Sequence, residues 1–203
     1  AQAFLIAEDF LNNSPSCLIL GDNLFLGAGL SELLVEASSD YENSSIFSYR
    51  VSDPRRFGVV EVDEMKNIID IVEKPKKPKS NFAVTGIYFY DQNAVNFSKD
   101  LIPTDRGELE ITDLNKRYIN EGNLLLKQMS SGFTWLDAGT PESLIEAANL
   151  IHTLEKRQGV KIGCPEEVAL KNGWITSQKL KNQINDSSND YNNYLLSRIH
   201  DDF

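Results

Sequence analysis

The chain has 203 residues, 41% of them hydrophobic and 25% charged, which is enough to bury one sizeable core and excludes a disordered tail. Thirty acidic against twenty basic residues give a formal charge of −10, which disfavours general binding to a nucleic acid backbone. No apolar run approaches the roughly 20 residues of a membrane span, and the first residues show no signal-peptide pattern. We therefore expect a cytoplasmic protein that contacts neither nucleic acid nor a membrane.

The cysteine content is low. Cys17 and Cys164 are the two cysteines, and they are too far apart in sequence to form a CxxC pair. This disfavours both a disulfide framework and a zinc site. We expect two reduced thiols in or near the core.

The first part of the chain predicts a βαβ unit. Apolar residues repeat with a helical period over residues 1–11, without a preceding Met or N-cap, which predicts a helix that begins upstream of residue 1. Residues 17–20 form a short continuous apolar run, typical of a central strand buried on both faces of a parallel sheet. A helical pattern over 28–38 and a strand pattern over 46–51 follow. This order is typical of an α/β sheet with crossover helices.

The rest of the chain adds an antiparallel section and several helices. Strands are predicted over 58–62, 68–72, 82–90 and 124–129, and helices over 110–121, 140–158, 165–173, the residues after Thr176, and 191–199. Thr140 and Pro141 give the strongest start signal, because Thr is a favoured N-cap and Pro fits the first helical position. We therefore divide the chain into a core over 1–159 and a C-terminal helical appendage over 160–203.

Two carboxylates lie where ligands of α/β proteins bind. Asp22 follows the predicted central strand, and ligands of open α/β sheets bind at the carboxyl ends of strands. Asp137 lies in the run TWLDAGTPE, in a predicted loop before a capped helix and beside Trp135. Two carboxylates on separate loops of one sheet edge are a common way to hold Mg²⁺. The alternatives are an Asx turn at Asp22 and helix capping by Asp137.

The run DIVEKPKKPKSNFAVTGIYFYD places Glu73 and Lys74 ahead of a proline. Extended geometry is favoured before proline, so we expect the two side chains to point to opposite sides, one to a sugar hydroxyl and the other to a phosphate. A solvated turn is the alternative, and it is the preferred interpretation for Lys76, Lys77 and Lys79.

Two further motifs give weaker signals. The run RFGVVE places Gly58 where a side chain is absent, and RGELEITD places Arg106 as a cation beside a helix start. His152 and His200 lie on predicted helices without a paired nucleophile motif. This disfavours a hydrolase triad and a histidine metal cluster.

Five motifs in order, LGDN, DPRRFGVVE, EKPKKPKSNFAVTGIYFYD, RGELEITDLN and WLDAGTPESLIEA, resemble the glucose-1-phosphate thymidylyltransferase family. The resemblance runs over essentially the whole chain, through RQGVKIGCPEEVALKNG. It implies a Rossmann-like nucleotidyltransferase sheet with a mixed, mainly parallel core, an antiparallel sugar-binding section and C-terminal helices. It also implies a homo-oligomer, a tetramer in the family, that acts in nucleotide-sugar biosynthesis.

The resemblance further implies an attack by the phosphate oxygen of glucose 1-phosphate on the α-phosphorus of dTTP, with release of pyrophosphate and no covalent enzyme intermediate. Asp22 and Asp137 would hold Mg²⁺, while Lys74 and Arg106 would bind the sugar phosphate. The glucose pocket would consist of Gly58, Glu73, Val84 and Tyr88, with Trp135 packing nearby. Catalysis by Asp22, Lys74 and Asp137 would then rest on positioning and charge neutralisation. Residues 161–167 resemble a region that forms a second nucleotide site, used for feedback inhibition and subunit contact.

One part of the family pattern has no counterpart in these residues. The family's first strand and its Gly-rich loop, G-x-G-T-R-L, are absent, together with the cations that grip the nucleotide triphosphate. We therefore expect an N-terminally truncated member that is inactive by itself. Two alternatives stay open, namely a uridylyltransferase of the same fold and a non-catalytic regulatory module that binds sugar phosphates.

Overall fold

A computed structural model describes residues 1–40, 42–104, 107–184 and 189–200. The chain divides into two compact units, Ala1–Thr140 and Pro141–Phe203. The helix that begins at Pro141 belongs to the second unit, whereas the sequence analysis assigned it to the core. The functional boundary expected at residue 159 stays a prediction.

The elements follow the predicted order. The strands are Ser16–Ile19 (β1), Asn23–Leu26 (β2), Ser44–Arg50 (β3), Gly58–Val62 (β4), Ile68–Glu73 (β5), Phe82–Tyr90 (β6), Leu124–Gln128 (β7) and Thr134–Asp137 (β8). The helices are Gln2–Ile6 (α1), Glu8–Leu11 (α2), Leu30–Ser39 (α3), Ala94–Lys99 (α4), Ile111–Asn120 (α5), Pro141–Gln158 (α6), Pro165–Lys171 (α7), Ser177–Gln183 (α8) and Asp190–His200 (α9). The predicted strands and helices are confirmed to within a few residues, although the first helix is broken at Ala7. The sequence patterns do not predict β2, β8 and α4.

Most strands of the first unit form one mixed sheet. The strand order is β5-β4-β6-β3-β7, and β1 pairs with the C-terminal half of β6. β3 and β7 are parallel neighbours, and the other neighbouring pairs in this sheet are antiparallel. The mixed α/β class is confirmed, with fewer parallel neighbours among the described strands than expected.

The environment of β1 differs from the prediction. Its residues pair in antiparallel register with β6, Cys17 opposite Phe89, and they are not buried on both faces. Cys17 is exposed and Ile19 retains 57% of its accessible surface. The expectation of a fully buried central strand is therefore wrong for the described residues, because apolar composition does not report how many neighbours a strand has. Cys164 is buried, as expected.

Helices cover both faces of the sheet. On one face, α1, α4 and α5 bury a core that includes Phe4, Tyr88, Val95, Leu114 and Tyr118. On the other face, α3 packs on a smaller cluster of Ala37, Phe47, Ile87 and Met129. The sheet of the first unit thus lies between two apolar layers.

The second unit is helical. Its helices α7, α8 and α9 contribute to an apolar cluster around Cys164, Leu180 and Leu195. α8 begins as the sequence predicts, because the Thr176 side chain accepts a hydrogen bond from the Lys179 N–H at 3.2 Å. None of the described helices has the length and hydropathy that crossing a membrane requires.

Candidate active site

Asp22 and Asp137 are brought together by a two-stranded antiparallel sheet rather than by two loops. β2 and β8 pair with Asn23 opposite Asp137, and the Ala138 N–H donates to the Asp22 carbonyl oxygen at 2.8 Å. A methyl group built on Gly139 would lie 2.9 Å from Oδ1 of Asp137 and 3.3 Å from Oδ2 of Asp22. The expectation of two separate loops is corrected, and the two carboxylates converge on one point.

Each of the two carboxylates has one hydrogen bond from its own neighbourhood. Oδ1 of Asp22 accepts from Nδ2 of Asn23 at 2.8 Å, and Oδ1 of Asp137 accepts from the Gly139 N–H at 2.9 Å. The bond from Gly139 closes an Asx turn at Asp137. It is not a helix cap, because α6 begins at Pro141, two residues after Gly139. Neither bond uses Oδ2, so each carboxylate keeps an oxygen for a further ligand.

Asn23 connects the Asp22–Asp137 pair to the main sheet by hydrogen bonds. The sequence patterns do not predict this role of Asn23. Its Oδ1 accepts from the Gly86 N–H at 3.0 Å and from Nε1 of Trp135 at 2.6 Å. Its Nδ2 donates to Asp22. A methyl group on Gly86 would lie 2.5 Å from Cγ of Asn23, which is closer than two non-bonded carbon atoms can approach. The glycine in β6 is therefore required for the asparagine to reach the strand, a long-range contact that sequence spacing does not reveal.

Glu73 and Lys74 lie together, not on opposite sides. Nζ of Lys74 is 3.6 Å from Oε1 of Glu73, and Oε2 of Glu73 accepts from the Thr112 hydroxyl at 2.6 Å. Lys74 has a φ of 43°, in the left-handed region, although Pro75 follows it. The prediction of extended geometry is wrong, since Lys74 leaves the strand conformation directly after β5 ends at Glu73. Its N–H still donates to the Phe57 carbonyl at 3.0 Å. Non-glycine residues hold this conformation at a cost of about 1–3 kcal/mol, and such positions cluster at functional sites.

Gly58 is also explained by a close approach. A methyl group there would lie 3.3 Å from both Oε2 of Glu73 and Oγ1 of Thr112. The absence of a side chain at this position leaves room for that hydrogen-bonded pair. The sequence predicts a position without a side chain here but not the partner Thr112, which comes from α5.

Aromatic side chains form the apolar part of the site. The rings of Phe57 and Trp135 pack with centroids 5.0 Å apart, and Tyr88 is buried beside them in the same cavity. Burial raises the pKa of the Tyr88 hydroxyl, and the nearby carboxylates of Glu73 and Asp22 raise it further. The hydroxyl therefore stays neutral and can both donate and accept a hydrogen bond.

One cavity of about 170 Å³ unites these groups. Its lining includes the eight described residues that the sequence analysis selected, namely Asp22, Gly58, Glu73, Lys74, Val84, Tyr88, Trp135 and Asp137. Arg106, the ninth, lies outside the described residues. The lining also includes Asn23, Arg56, Gly86 and Thr112, which were not selected. The cavity thus combines three carboxylates, two cations and an aromatic wall.

Comparisons with known proteins identify the family. The Nucleotidyl transferase family matches residues 1–153. A glucose-1-phosphate thymidylyltransferase of Xanthomonas campestris pv. campestris (strain B100) is 50% identical over 198 residues, which are 97% of this chain and 67% of that protein. One of Neisseria gonorrhoeae is 48% identical over 200 residues, which are 98% of this chain and 69% of that protein. The chain belongs to the glucose-1-phosphate thymidylyltransferase group of nucleotidyl transferases.

Solved structures agree with this assignment. A crystal structure from Bacillus anthracis, presented as a candidate glucose-1-phosphate thymidylyltransferase in complex with a sucrose, has a TM-score of 0.65 and 44% identity. The match covers 74% of this chain and 59% of the Bacillus anthracis chain. A UDP-glucose pyrophosphorylase complexed with UDP-glucose has a TM-score of 0.66 at 25% identity, covering 74% of this chain and 61% of the other. The family resemblance and the enzyme class predicted from the motifs are confirmed.

The residues at the carboxylate pair suit the divalent cation that the resemblance implies. Mg²⁺ prefers oxygen ligands and is usually held by one or two carboxylates, with water and substrate phosphate in its other positions. Asp22 and Asp137 supply two converging carboxylates of this kind. Within the described residues no group of three or more His, Cys, Asp or Glu could hold a metal, which disfavours a cage of protein ligands there. The donor set therefore fits Mg²⁺ shared with a phosphate ligand.

Proposed function

We propose that this protein transfers a thymidylyl group from dTTP to glucose 1-phosphate and so forms dTDP-glucose and pyrophosphate. The observation that carries the proposal is that one cavity is lined by the paired carboxylates Asp22 and Asp137 together with the Glu73–Lys74 pair. These groups come from distant parts of the chain. The reaction needs carboxylates for a metal ion and a cation for the sugar phosphate. The names of relatives at 41–50% identity supply the substrates.

The reaction needs orientation and charge neutralisation more than a chemical group of the protein. An oxygen of the sugar phosphate forms a bond to the α-phosphorus of the nucleotide, while the bond from that phosphorus to the bridging oxygen of pyrophosphate breaks. Pyrophosphate leaves with the electron pair, so no residue forms a covalent intermediate. Two anionic reactants must approach in line, and positioning of this kind accounts for much of the rate enhancement in such reactions.

The side chains of the cavity have separate parts in this positioning. Glu73 accepts from Thr112, which fixes its carboxylate, and we propose that it receives a sugar hydroxyl. Lys74 neutralises the sugar phosphate, and the Phe57–Trp135 wall packs against the apolar face of the ring. Asp22 and Asp137 would hold Mg²⁺, which when bound supplies positive charge to the phosphates. Arg106 is proposed as a further phosphate ligand on the family resemblance.

Assays of pyrophosphate release by this chain and by a version extended at its N-terminus test this proposal. The triphosphate is expected to need the backbone amides and Arg of the G-x-G-T-R-L loop, which these 203 residues lack. We propose that the 203 residues alone are silent, and that joining an upstream segment with such a loop to Ala1 gives release of pyrophosphate. Turnover by the short version would show that the loop is dispensable. Silence of both, with glucose 1-phosphate still bound, would favour a non-catalytic sugar-phosphate module.

The same assay addresses the nucleotide base. The relatives named for thymidylyl transfer are 38–50% identical to this chain, whereas the UDP-glucose pyrophosphorylase structure is 25% identical. We therefore expect the extended version to prefer dTTP over UTP in kcat/KM. Preference for UTP would support the uridylyltransferase alternative. The homo-oligomeric state stays a prediction.

Replacing Lys74 by Ala is expected to weaken the binding of glucose 1-phosphate. A charge-assisted contact to a phosphate contributes about 1.5–3 kcal/mol, and Lys74 lies in the cavity beside Glu73. Calorimetric titration of the 203-residue chain measures this loss. Lys79→Ala is the matched control, because Lys79 belongs to the same run and pairs instead with Glu61 at 2.8 Å, with its side chain 75% exposed. Equal affinities of the Lys74 variant and the unsubstituted chain would assign Lys74 to a solvated turn.

A further inference from the structure

We propose that Arg56 is a second cation of the substrate cavity and binds the phosphate of the sugar phosphate. This inference rests on the proposed function and adds a residue that the sequence motifs did not single out. Arg56 lines the cavity together with Lys74, Glu73 and the two converging carboxylates. It reaches that position because the chain turns sharply over Pro54–Arg56 just before β4.

The two adjacent arginines of this turn have different surroundings. Asp53 accepts from Nε of Arg55 at 2.8 Å and from its Nη2 at 2.7 Å, a bidentate pair on the outside of the turn. The guanidinium of Arg56 instead lies 5.8 Å from the centroid of the Phe57 ring. That ring packs on Trp135 in the wall of the cavity. The turn thus directs one arginine to Asp53 and the other towards the cavity.

The charges in the cavity give Arg56 a reason to bind an anion. Asp22, Glu73 and Asp137 contribute three carboxylates, and Lys74 and Arg56 are the cations among the described lining residues. The Lys74 ammonium already lies 3.6 Å from Glu73. In the described part of the chain Arg56 has no carboxylate as an ion-pair partner, so its positive charge is not offset by direct contact.

A phosphate suits the guanidinium better than a sugar hydroxyl does. The planar guanidinium presents parallel N–H donors that match two phosphate oxygens, and its stacking on an aromatic face holds its orientation. Phe57 supplies that face. Its carbonyl oxygen accepts from the Lys74 N–H at 3.0 Å, and the next residue, Gly58, pairs with Glu73. The arginine therefore lies on the side of the cavity proposed to hold the sugar phosphate, not beyond it.

Calorimetric titration of the 203-residue chain with glucose 1-phosphate tests the assignment. We expect Arg56→Ala to weaken binding by roughly tenfold to a hundredfold, the loss expected for a charge-assisted hydrogen bond. The affinity of Arg56→Lys is expected to lie between those of Arg56→Ala and the unsubstituted chain. Lysine keeps the positive charge but lacks the paired N–H donors of the guanidinium. Arg55→Ala is the matched control and is expected to bind as the unsubstituted chain does, since Arg55 pairs with Asp53 outside the cavity.

Titration with unphosphorylated glucose separates a phosphate contact from a structural role. Arg56→Ala is expected to leave the affinity for glucose unchanged. An equal loss for both ligands, or an unchanged affinity for glucose 1-phosphate, would overturn the assignment. In the extended version, a rise in the KM of dTTP without one for glucose 1-phosphate would also overturn it and place Arg56 at the nucleotide. If the unsubstituted chain does not bind glucose 1-phosphate, the proposed function itself fails, and this inference with it.

Discussion

Replacing Asp22 or Asp137 by Asn is expected to lower the turnover of the extended version by roughly two to three orders of magnitude, comparable to loss of an oxyanion donor. Each substitution keeps the shape of the side chain and removes one negative charge from the converging pair. Asp22 is exposed and Asp137 is partly exposed, so neither contributes to core packing. Thermal unfolding is therefore expected to change little, and the loss is expected in kcat and not only in KM.

The measurement is pyrophosphate release from dTTP and glucose 1-phosphate over a range of Mg²⁺ concentrations. If the carboxylates hold the cation, both variants require more Mg²⁺ than the unsubstituted enzyme. Asp70→Asn is the control, because Asp70 lies on β5, pairs with Lys116 at 3.5 Å and does not line the cavity. A variant of Asp22 or Asp137 that keeps near-full activity at low Mg²⁺ would contradict the metal assignment.

Gly86→Ala is expected to reduce turnover by about a hundredfold through Asn23, although Gly86 itself carries no reactive group. The new methyl group would meet Cγ of Asn23 at 2.5 Å, so the asparagine must leave its bonds to the Gly86 N–H and to Trp135. Asn23 also donates to Asp22. A displacement of about 1 Å in a positioned group can cost this much in rate. Overpacking of this kind is also expected to cost about 1–3 kcal/mol of stability.

Gly132→Ala is the matched control for this substitution. The nearest atom to a methyl group there is Oγ of Ser130 at 3.6 Å, an ordinary contact, so stability and turnover are expected to stay within twofold of the starting values. Denaturant unfolding and steady-state kinetics measure both effects. If Gly86→Ala is as active as Gly132→Ala, Asn23 does not position Asp22. Gly86 would then have no role in turnover.

Asp22 and Glu73 show how far local sequence predicts this site. Asp22 is selected because it follows a strand pattern and Glu73 because it lies ahead of a proline, and both line the cavity. The wrong details concern conformation. Lys74 is expected to be extended because proline disfavours helical geometry before it, but it has a φ of 43° at the point where β5 ends. A local steric preference of one residue is therefore overridden by its tertiary surroundings.

The sequence by itself determined the order of most helices and strands, the family, and the eight described residues that share the cavity. Those conclusions depend on hydrophobic period, on turn residues and on ordered motifs, which are local properties of the chain. The tertiary structure alone decided that β1 pairs antiparallel with β6, that Asn23 bonds to Gly86 and Trp135, and that Arg56 rather than Arg55 lines the cavity. These contacts join residues up to 112 positions apart, or distinguish neighbours of the same type. Their partners are set by how strands and loops pack in space, and no local pattern encodes that packing.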